Sequence, residues 1–567
     1  MVASRVRTFP PEMESPGFVA GGGVNRSLPR SALSPIALWT AKNVHPTTRG
    51  FGNIEIGTSK ENTNRLATAP VRAIFKFEGK RLEVRSGNLY SIPINGGAET
   101  LESSSAFDAT KTVRWAIGRG ASGVTKVFLC DGTNQPKVWN GTTLSNITAF
   151  GSNILTEILT SNRPNKVINY KNRILWSFPE GGANFDYLLA SDLENGETYT
   201  AGAGANNAWF EILDTEGTEI TAIATLKRSG QTKEDLAIVA YTEKQAFTGQ
   251  SDDTPSTNRF GVFNNISKDI GAINQECVIN YLNDLYSMSS RGIGALSAIE
   301  NEVQSTILEA GIQINSLIQS GAMNAAFNKS FMIHCKERNT IWISLPSGAD
   351  IGNTNEGFAY PETPMNLTIA YTYAIQTATG AIVSSWTTRQ GTGWGWSCAD
   401  VDGRDIYLGS YFGDIYKAFS GDEYERNPTT TSTRQPILST FETGDLNLGS
   451  DLTQYKEVLD LIFKWFLPVS LTASFTFVWD GKETGTINIT KTSGGSSGAS
   501  LWDVALWDIG LWTEERSADM NVTPADGGRS LRILVEWYSE IDAVSNHGSL
   551  YALTGVISDG KRLLRFV

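Results

Sequence analysis

Histidine is scarce in this chain: His45, His334 and His547 are the only three in 567 residues. A Ser-His-Asp triad or a histidine-ligated metal therefore has little to draw on. Cysteine is nearly as rare, and Cys130, Cys277, Cys335 and Cys398 are scattered without a CxxC spacing. That pattern signals neither a zinc site nor a disulfide scaffold, and buried, reduced thiols are the expectation. Nowhere do about 18 apolar residues run together, so no membrane span is expected. The opening MVASRVRTFPPEMES lacks the apolar centre of a signal peptide. Positive charge is in deficit too, with 47 Lys and Arg against 59 Asp and Glu, a formal net charge of -12. Phosphate neutralisation supplies most of the affinity of a non-specific nucleic-acid clamp, so such a clamp should be basic. An acidic surface instead repels a polyanion, as a conduit for one must.

What is abundant is turn and aromatic chemistry: 55 Gly, with 15 Trp, 17 Tyr and 25 Phe. These suit aromatic-rich strands joined by tight turns. The first 60 or so residues, including PGFVAGGGVNRSLPRSALSP, show no sustained period and read as an extended arm with a first strand. Gly21 to Gly23 do not make a phosphate loop, since no strand precedes them and no Lys-Ser/Thr follows.

From about residue 70 a hairpin pattern takes over. AIFKFEGKRLEVRSGNLYSIPI at Ala73 is three short strands with turns at Glu78-Gly79 and Ser86-Gly87-Asn88. Related segments begin at Val124, Lys166, Ile220, Cys277, Ser330 and Trp396. YKNRILWS at Tyr170 and CKERNTIWIS at Cys335 repeat one corner, a polar bend leading into an apolar stretch with Trp. Seven such units lie between about 70 and 420 at roughly 40- to 55-residue spacing. Hairpins at that period, each unable to bury its apolar face alone, predict a β-propeller.

In SAIENEVQSTILEAGIQINSLIQSG, Ile299, Val303 and Ile307 form a helical stripe that Ile314, Leu317 and Ile318 resume, so a helical insertion is expected at about 299–320. The Thr- and Pro-rich stretch 426–436 reads as a linker, and 437–567 as a β-sandwich-like domain with longer strands. Within it, LWDVALWDIGLW spaces Trp502, Trp507 and Trp512 five apart, which matches neither helix nor strand. These aromatics are expected to face a surface, as packing or subunit contacts or as a stack for sugar rings. The expected whole is a mainly β chain: an arm (1–60), a β-propeller (61–425) with an inserted helical segment, and a C-terminal β-sandwich-like domain (437–567).

No catalytic residue, cofactor or metal ligand is assigned. His334 and Cys335 are strand neighbours and point to opposite faces, so they cannot form a nucleophile-base pair there. Asp400, Asp402 and Asp405, and Asp422, Glu423 and Glu425, resemble solvated loop charges more than a glycosidase pair. DVDGRD lacks the distal Glu of a calcium loop, because that position is Gly409.

AKNVHPTTRGFGNIEIG at Ala41 and GNLYSIP resemble the opening of tailed-bacteriophage nozzle and hub proteins, the tail tubular protein B-like group of short tails. LLASDLENGETYT, LAIVAYTEKQAFTG and INYLNDLYSMSSRGIGAL followed by EVQSTILEAGIQ resemble their middle blades. The resemblance implies a non-enzymatic virion protein, assembled in the host cytoplasm into a ring of six copies. That ring would sit below the portal and adaptor proteins and carry tail fibres or spikes. It would retain the genome and let DNA pass on ejection without sequence-specific binding. The alternative from another class is a carbohydrate-binding or carbohydrate-cleaving propeller, a tail spike or lectin, with Trp502, Trp507 and Trp512 stacked on sugar.

Overall fold

The computed structural model describes residues 23–33, 37–47, 50–52, 58–150, 163–179, 187–199, 209–211, 219–226, 237–249, 263–267, 271–281, 284–296, 311–347, 360–375, 382–390, 394–420, 423–426, 433–436, 438–447, 456–466, 471–491, 517–522, 527–538, 549–558 and 563–566.

The chain is mainly β and folds as a β-propeller with six self-contained blades. Blade one runs through Val71–Phe77, Lys80–Arg85, Asn88–Pro93 and Thr100–Ser103. Blades two to five follow, with inner strands Arg114–Arg119, Lys166–Tyr170, Ala222–Leu226 and Val278–Tyr281. Blade six is built from Trp396–Asp402, Asp405–Ser410 and Ile415–Ala418. Between blades five and six, Phe331–Cys335 takes an inner-strand place, touching both Val278–Tyr281 and Trp396–Asp402. The circle closes where Trp396–Asp402 packs on Val71–Phe77.

Each blade is held by the layers between it and its neighbours. In the strand Thr125–Cys130 of blade two, Val127 and Leu129 pack toward blade one with Phe75, Leu82 and Trp139. Phe128 and Cys130 point the other way, onto Ile174, Trp176 and Leu189 of blade three. Alternation survives, but both faces are buried, so the sequence reads as the unbroken run VFLC. Blades three and four meet through Tyr170, Leu175, Ile223 and Phe247, and four and five through Tyr241, Leu226 and Leu285. Burial on that scale contributes about 1.5–3 kcal/mol for each large side chain.

The repeated corners occupy matching places. Both join an inner strand to the next one out: Tyr170 pairs with Arg173, and Cys335 pairs with Thr340. Lys171 and Asn172 both have positive φ, as a two-residue I′ turn requires. The second corner is longer, a 3-10 turn at Lys336–Arg338 closed by Asn339 in the left-handed conformation.

The strands Phe331–Cys335, Thr340–Leu345, Leu367–Ile375 and Ile382–Arg389 do not stop at the propeller rim. They continue into a ten-stranded sheet with Leu38–Lys42, Leu438–Thr443, Ser530–Tyr538, Leu471–Trp479 and Lys482–Lys491. Its pairings are antiparallel except where Lys42 lies parallel beside Thr388. Ala473, Phe475, Phe477 and Trp479 alternate into one core with Leu531, Ile533, Val535 and Trp537. A second sheet joins His45–Thr47 and Gly50–Gly52 to Ser549–Ser558, Lys456–Phe466 and Ser517–Val522.

The sheets cross the expected boundaries at several points. Among the described residues, both C-terminal sheets recruit N-terminal strands whose free edges would otherwise stay unpaired. The arm therefore holds sheet strands, and Thr58–Lys60 is the fourth strand of blade six. The expected linker contributes to a hairpin, Glu423–Arg426 with Thr433–Pro436. Of the expected helical insertion, Asn315–Ala322 is a helix, with Ile314, Leu317 and Ile318 buried in the sheet core. Ile299, Val303 and Ile307 lie outside the described residues.

Candidate functional site

In a propeller the inner strands start around one mouth of the axis, so the residues at those starts face one another across it. Here each start brings a charge or a bonding side chain. Arg114 opens the inner strand of blade two, and Glu276 sits in the 3-10 turn leading into that of blade five. Two blades separate them, yet they form a bidentate pair: Arg114 Nε to Glu276 Oε1 at 2.6 Å, and Nη2 to Oε2 at 2.8 Å. The third donor position, Nη1, reaches the carbonyl of Asn165 at the start of blade three, 2.7 Å away. The axis is thus crossed at this mouth by an ion pair.

The circuit continues around the rim. Lys166 Nζ donates to Glu219 Oε1 at 2.7 Å, tying blade three to blade four. Gln275 clasps the backbone of Ile223 in blade four, accepting from its N–H at 2.9 Å and donating to its carbonyl at 2.7 Å. Asn274 donates to the carbonyls of Asn328 and Ser330, both at 2.7 Å, just before the next inner strand. Glu362 bridges Arg72 of blade one, at 2.6 Å, and Lys329. Ser397 Oγ donates to the Val71 carbonyl at 2.7 Å, joining blade six to blade one.

Electrostatics follow the packing. Burial works against the charge on Arg114, but the Glu276 carboxylate outweighs it and the pKa lies above the usual value. Burial depresses Lys166 to about 8, against the pull of Glu219. Desolvation also opposes ionisation of Glu362, yet hydrogen bonds from Lys329 and Arg72 hold it below the ordinary carboxylate range. Such pairs fix geometry; they present no nucleophile with a base beside it.

The candidates drawn from the sequence lie elsewhere. His334 has both ring nitrogens engaged, Nδ1 with the Asn280 carbonyl at 2.8 Å and Nε2 with Tyr373 Oη at 2.9 Å. Desolvation lowers its pKa. Asp402 binds Lys76 at 2.9 Å, and Asp405 binds Lys417 at 2.7 Å. Burial raises Asp400 to about 7. Glu423 and Glu425 fall in the strand Glu423–Arg426, while Asp422 lies outside the described residues. Trp502, Trp507 and Trp512 also lie outside the described residues. All four cysteines are free, and burial pushes the Cys398 thiol up to about 12. Among the described residues no cluster of three or more His, Cys, Asp or Glu is placed to hold a metal.

Sequence reading missed the rim charges because each is a lone charge in its own repeat. The available signal was positional: TVRWAIG, NKVINY and QECVINY each put Arg, Lys or Glu at or just before an inner strand. A cavity of about 50 Å³ between blade five and the ten-stranded sheet is lined by Ile279, Tyr281, Tyr286, Met332, Tyr371 and Trp386. It has room for a water or two.

No family model and no curated protein matches the chain. Among solved structures, it is similar to the computationally designed Ika8 protein at 9% identity and TM-score 0.33, over 63% of this chain and 99% of that one. YCF48 from Cyanidioschyzon merolae matches at 9% identity and TM-score 0.34, over 64% and 98%. The WD40 domain of Pan2 from Neurospora crassa matches at 7% and 0.27, over 68% and 91%. Likeness at these scores carries no functional argument, and the fold rests on the sheet order itself.

Proposed function

We propose that this chain is a structural subunit of a short bacteriophage tail, a ring-forming nozzle or hub protein that encloses the DNA channel. The reading starts from the sequence resemblance, and one structural observation supports it over a catalytic role. The rim groups described above spend their charges on one another, and Arg114–Glu276 spans the axis. An enzyme needs a concave pocket with convergent free groups, whereas a rigid brick needs its blades stitched together. The ten-stranded sheet supports the same role, because it joins propeller-rim strands to C-terminal ones through the N-terminal strand Leu38–Lys42. In a cyclic oligomer of such bricks, a net charge of -12 keeps DNA from adhering to the wall as it passes.

Electron microscopy of the purified chain and of virions tests this. A ring with a central pore, formed by this chain and present in the tail, is the expected result. A monomer at micromolar concentration that is absent from virions would overturn it. Glycan binding that Trp507→Ala abolishes would favour the carbohydrate alternative.

A further inference from the structure

We infer that residues 58–66 form a releasable strap that holds the propeller ring shut, and that the seam beneath the strap is where the ring opens. The inference does not depend on the tail reading.

The seam between blades one and six differs in kind from the others. Its buried apolar contacts are few: Val71, Ile74 and Ile92 against Tyr407 and Ile415. The second strand of blade one turns Arg81, Glu83 and Arg85 into it, all with 0% exposure. Elsewhere that layer is filled by aromatics and aliphatics. Buried ion pairs hold less firmly than an apolar layer, since desolvation offsets most of their attraction. Arg81 lies over the Tyr407 ring and 3.5 Å from Asp402. Arg85 pairs with Glu99 at 2.6 Å and donates to the Gly413 carbonyl. Glu83 stands 3.3 Å from Arg85, yet neither of its oxygens accepts a hydrogen bond from a described residue.

Across this seam lies the strap, and it grips both sides. Toward blade six, Thr58–Lys60 pairs with the strand Ile415–Ala418. Lys60 and Arg65 each hold Asp414 at 3.0 Å, and Asn62 Oδ1 accepts from the Ile415 N–H at 3.1 Å. Toward blade one, Asn62 Nδ2 donates to Glu99 Oε1 at 2.5 Å, and Leu66 N–H to Glu99 Oε2 at 2.9 Å. Asn64 Oδ1 accepts from the Glu99 N–H at 2.7 Å, and Thr63 N–H donates to the Gly97 carbonyl at 2.9 Å. Asn62 alone therefore bonds both blades with its two side-chain ends.

The groups facing Glu83 are Arg85 on its own strand, Glu99 beyond the third strand, and Asp414 and Cys398 on blade six. Burial raises Glu83 to about 8; Glu99 and Asp414 push the same way, and Arg85 opposes them without prevailing. In an opened seam the carboxyl returns to its ordinary value of 4.5. Between those two values the closed seam holds a proton that the open one releases, so opening becomes easier as pH rises to about 8 and then levels off.

Hydrogen exchange of the full chain, read by mass spectrometry and corrected for intrinsic rates, tests the strap. Amides in 58–66, 80–85 and 405–418 should open together before those of blades two to four. Their opening should be about 70-fold more frequent near pH 8.5 than near pH 6. Glu83→Gln should remove that pH dependence. Asn62→Ala should increase opening of the same three segments about tenfold at either pH, leaving blades two to four unchanged, and it decides the matter if the first variant does not fold. Seam amides protected as long as those of blade three would overturn the inference. So would an unchanged pH slope in Glu83→Gln, or equal acceleration of every blade in Asn62→Ala.

Discussion

At the scale of single residues, the mouth of the axis is the place where one side chain joins distant blades. Arg114→Ala leaves Glu276 without its partner, with side-chain exposures of 15% and 29% in the intact pair. The expected cost is about 3 kcal/mol in urea unfolding, the size seen when a largely buried pair loses one member. Arg114→Met combined with Glu276→Leu should cost less than Arg114→Ala alone, because no uncompensated charge remains. Lys166 makes a pH prediction opposite in sign to that of Glu83. Its pKa is depressed to about 8, so between 8 and 10.5 the unfolded chain binds the proton that the native chain has lost, and stability rises. Lys166→Met should abolish that rise in a series of denaturant midpoints. The paired side chains were invisible in sequence because Arg114 and Glu276 stand 162 positions apart, and no local pattern connects them. The placement of His334 and Cys335 on opposite strand faces, by contrast, follows from adjacency alone.

At the scale of elements, the corner closed by Asn339 is testable in isolation. Its φ of 51° suits Asn or Gly and strains a branched side chain. Asn339→Gly should be close to neutral, whereas Asn339→Val should lower stability by about 1–2 kcal/mol, measured by thermal melting. The hairpins of the propeller were legible because glycine, asparagine and serine mark their turns and aromatics fill their second strands. Glu78-Gly79 and Ser86-Gly87 are turns with positive φ at both residues. The short N-terminal strands were not legible. Thr58–Lys60 is three residues without an apolar stripe, and it is a strand because Ile415–Ala418 offers it a ladder. Similarly, Glu423–Arg426 and Thr433–Pro436 look like a connector because their pairing partners are each other.

At the scale of the whole molecule, the sequence suggested two bodies and a joint; among the described residues, one ten-stranded sheet carries both propeller-rim and C-terminal strands. A change of texture after residue 437 is real, since the strands lengthen there, but texture does not report which edges pair. Leu38–Lys42 lies between Ile382–Arg389 and Leu438–Thr443, so it stitches propeller strands to C-terminal ones. The strands from Phe331 to Arg389 should therefore unfold with the C-terminal sheet and not with blades two to four. Calorimetry joined to exchange mapping should find their protection lost in the same transition as that of Leu471–Trp479. Loss together with blade three instead would contradict the shared sheet.

The closing position of Thr58–Lys60 also sets a schedule for biogenesis. Its partner strand begins some 355 residues later, so a ribosome adding about 5–20 residues per second delivers the match only after roughly 20–70 s. Throughout that interval Thr58–Lys60 lacks the strand it pairs with, although residues 62–66 can already bond Gly97 and Glu99 of blade one. The slower the synthesis, the longer that strand stays exposed, so slowing translation before residue 415 should lower the yield of intact wheels.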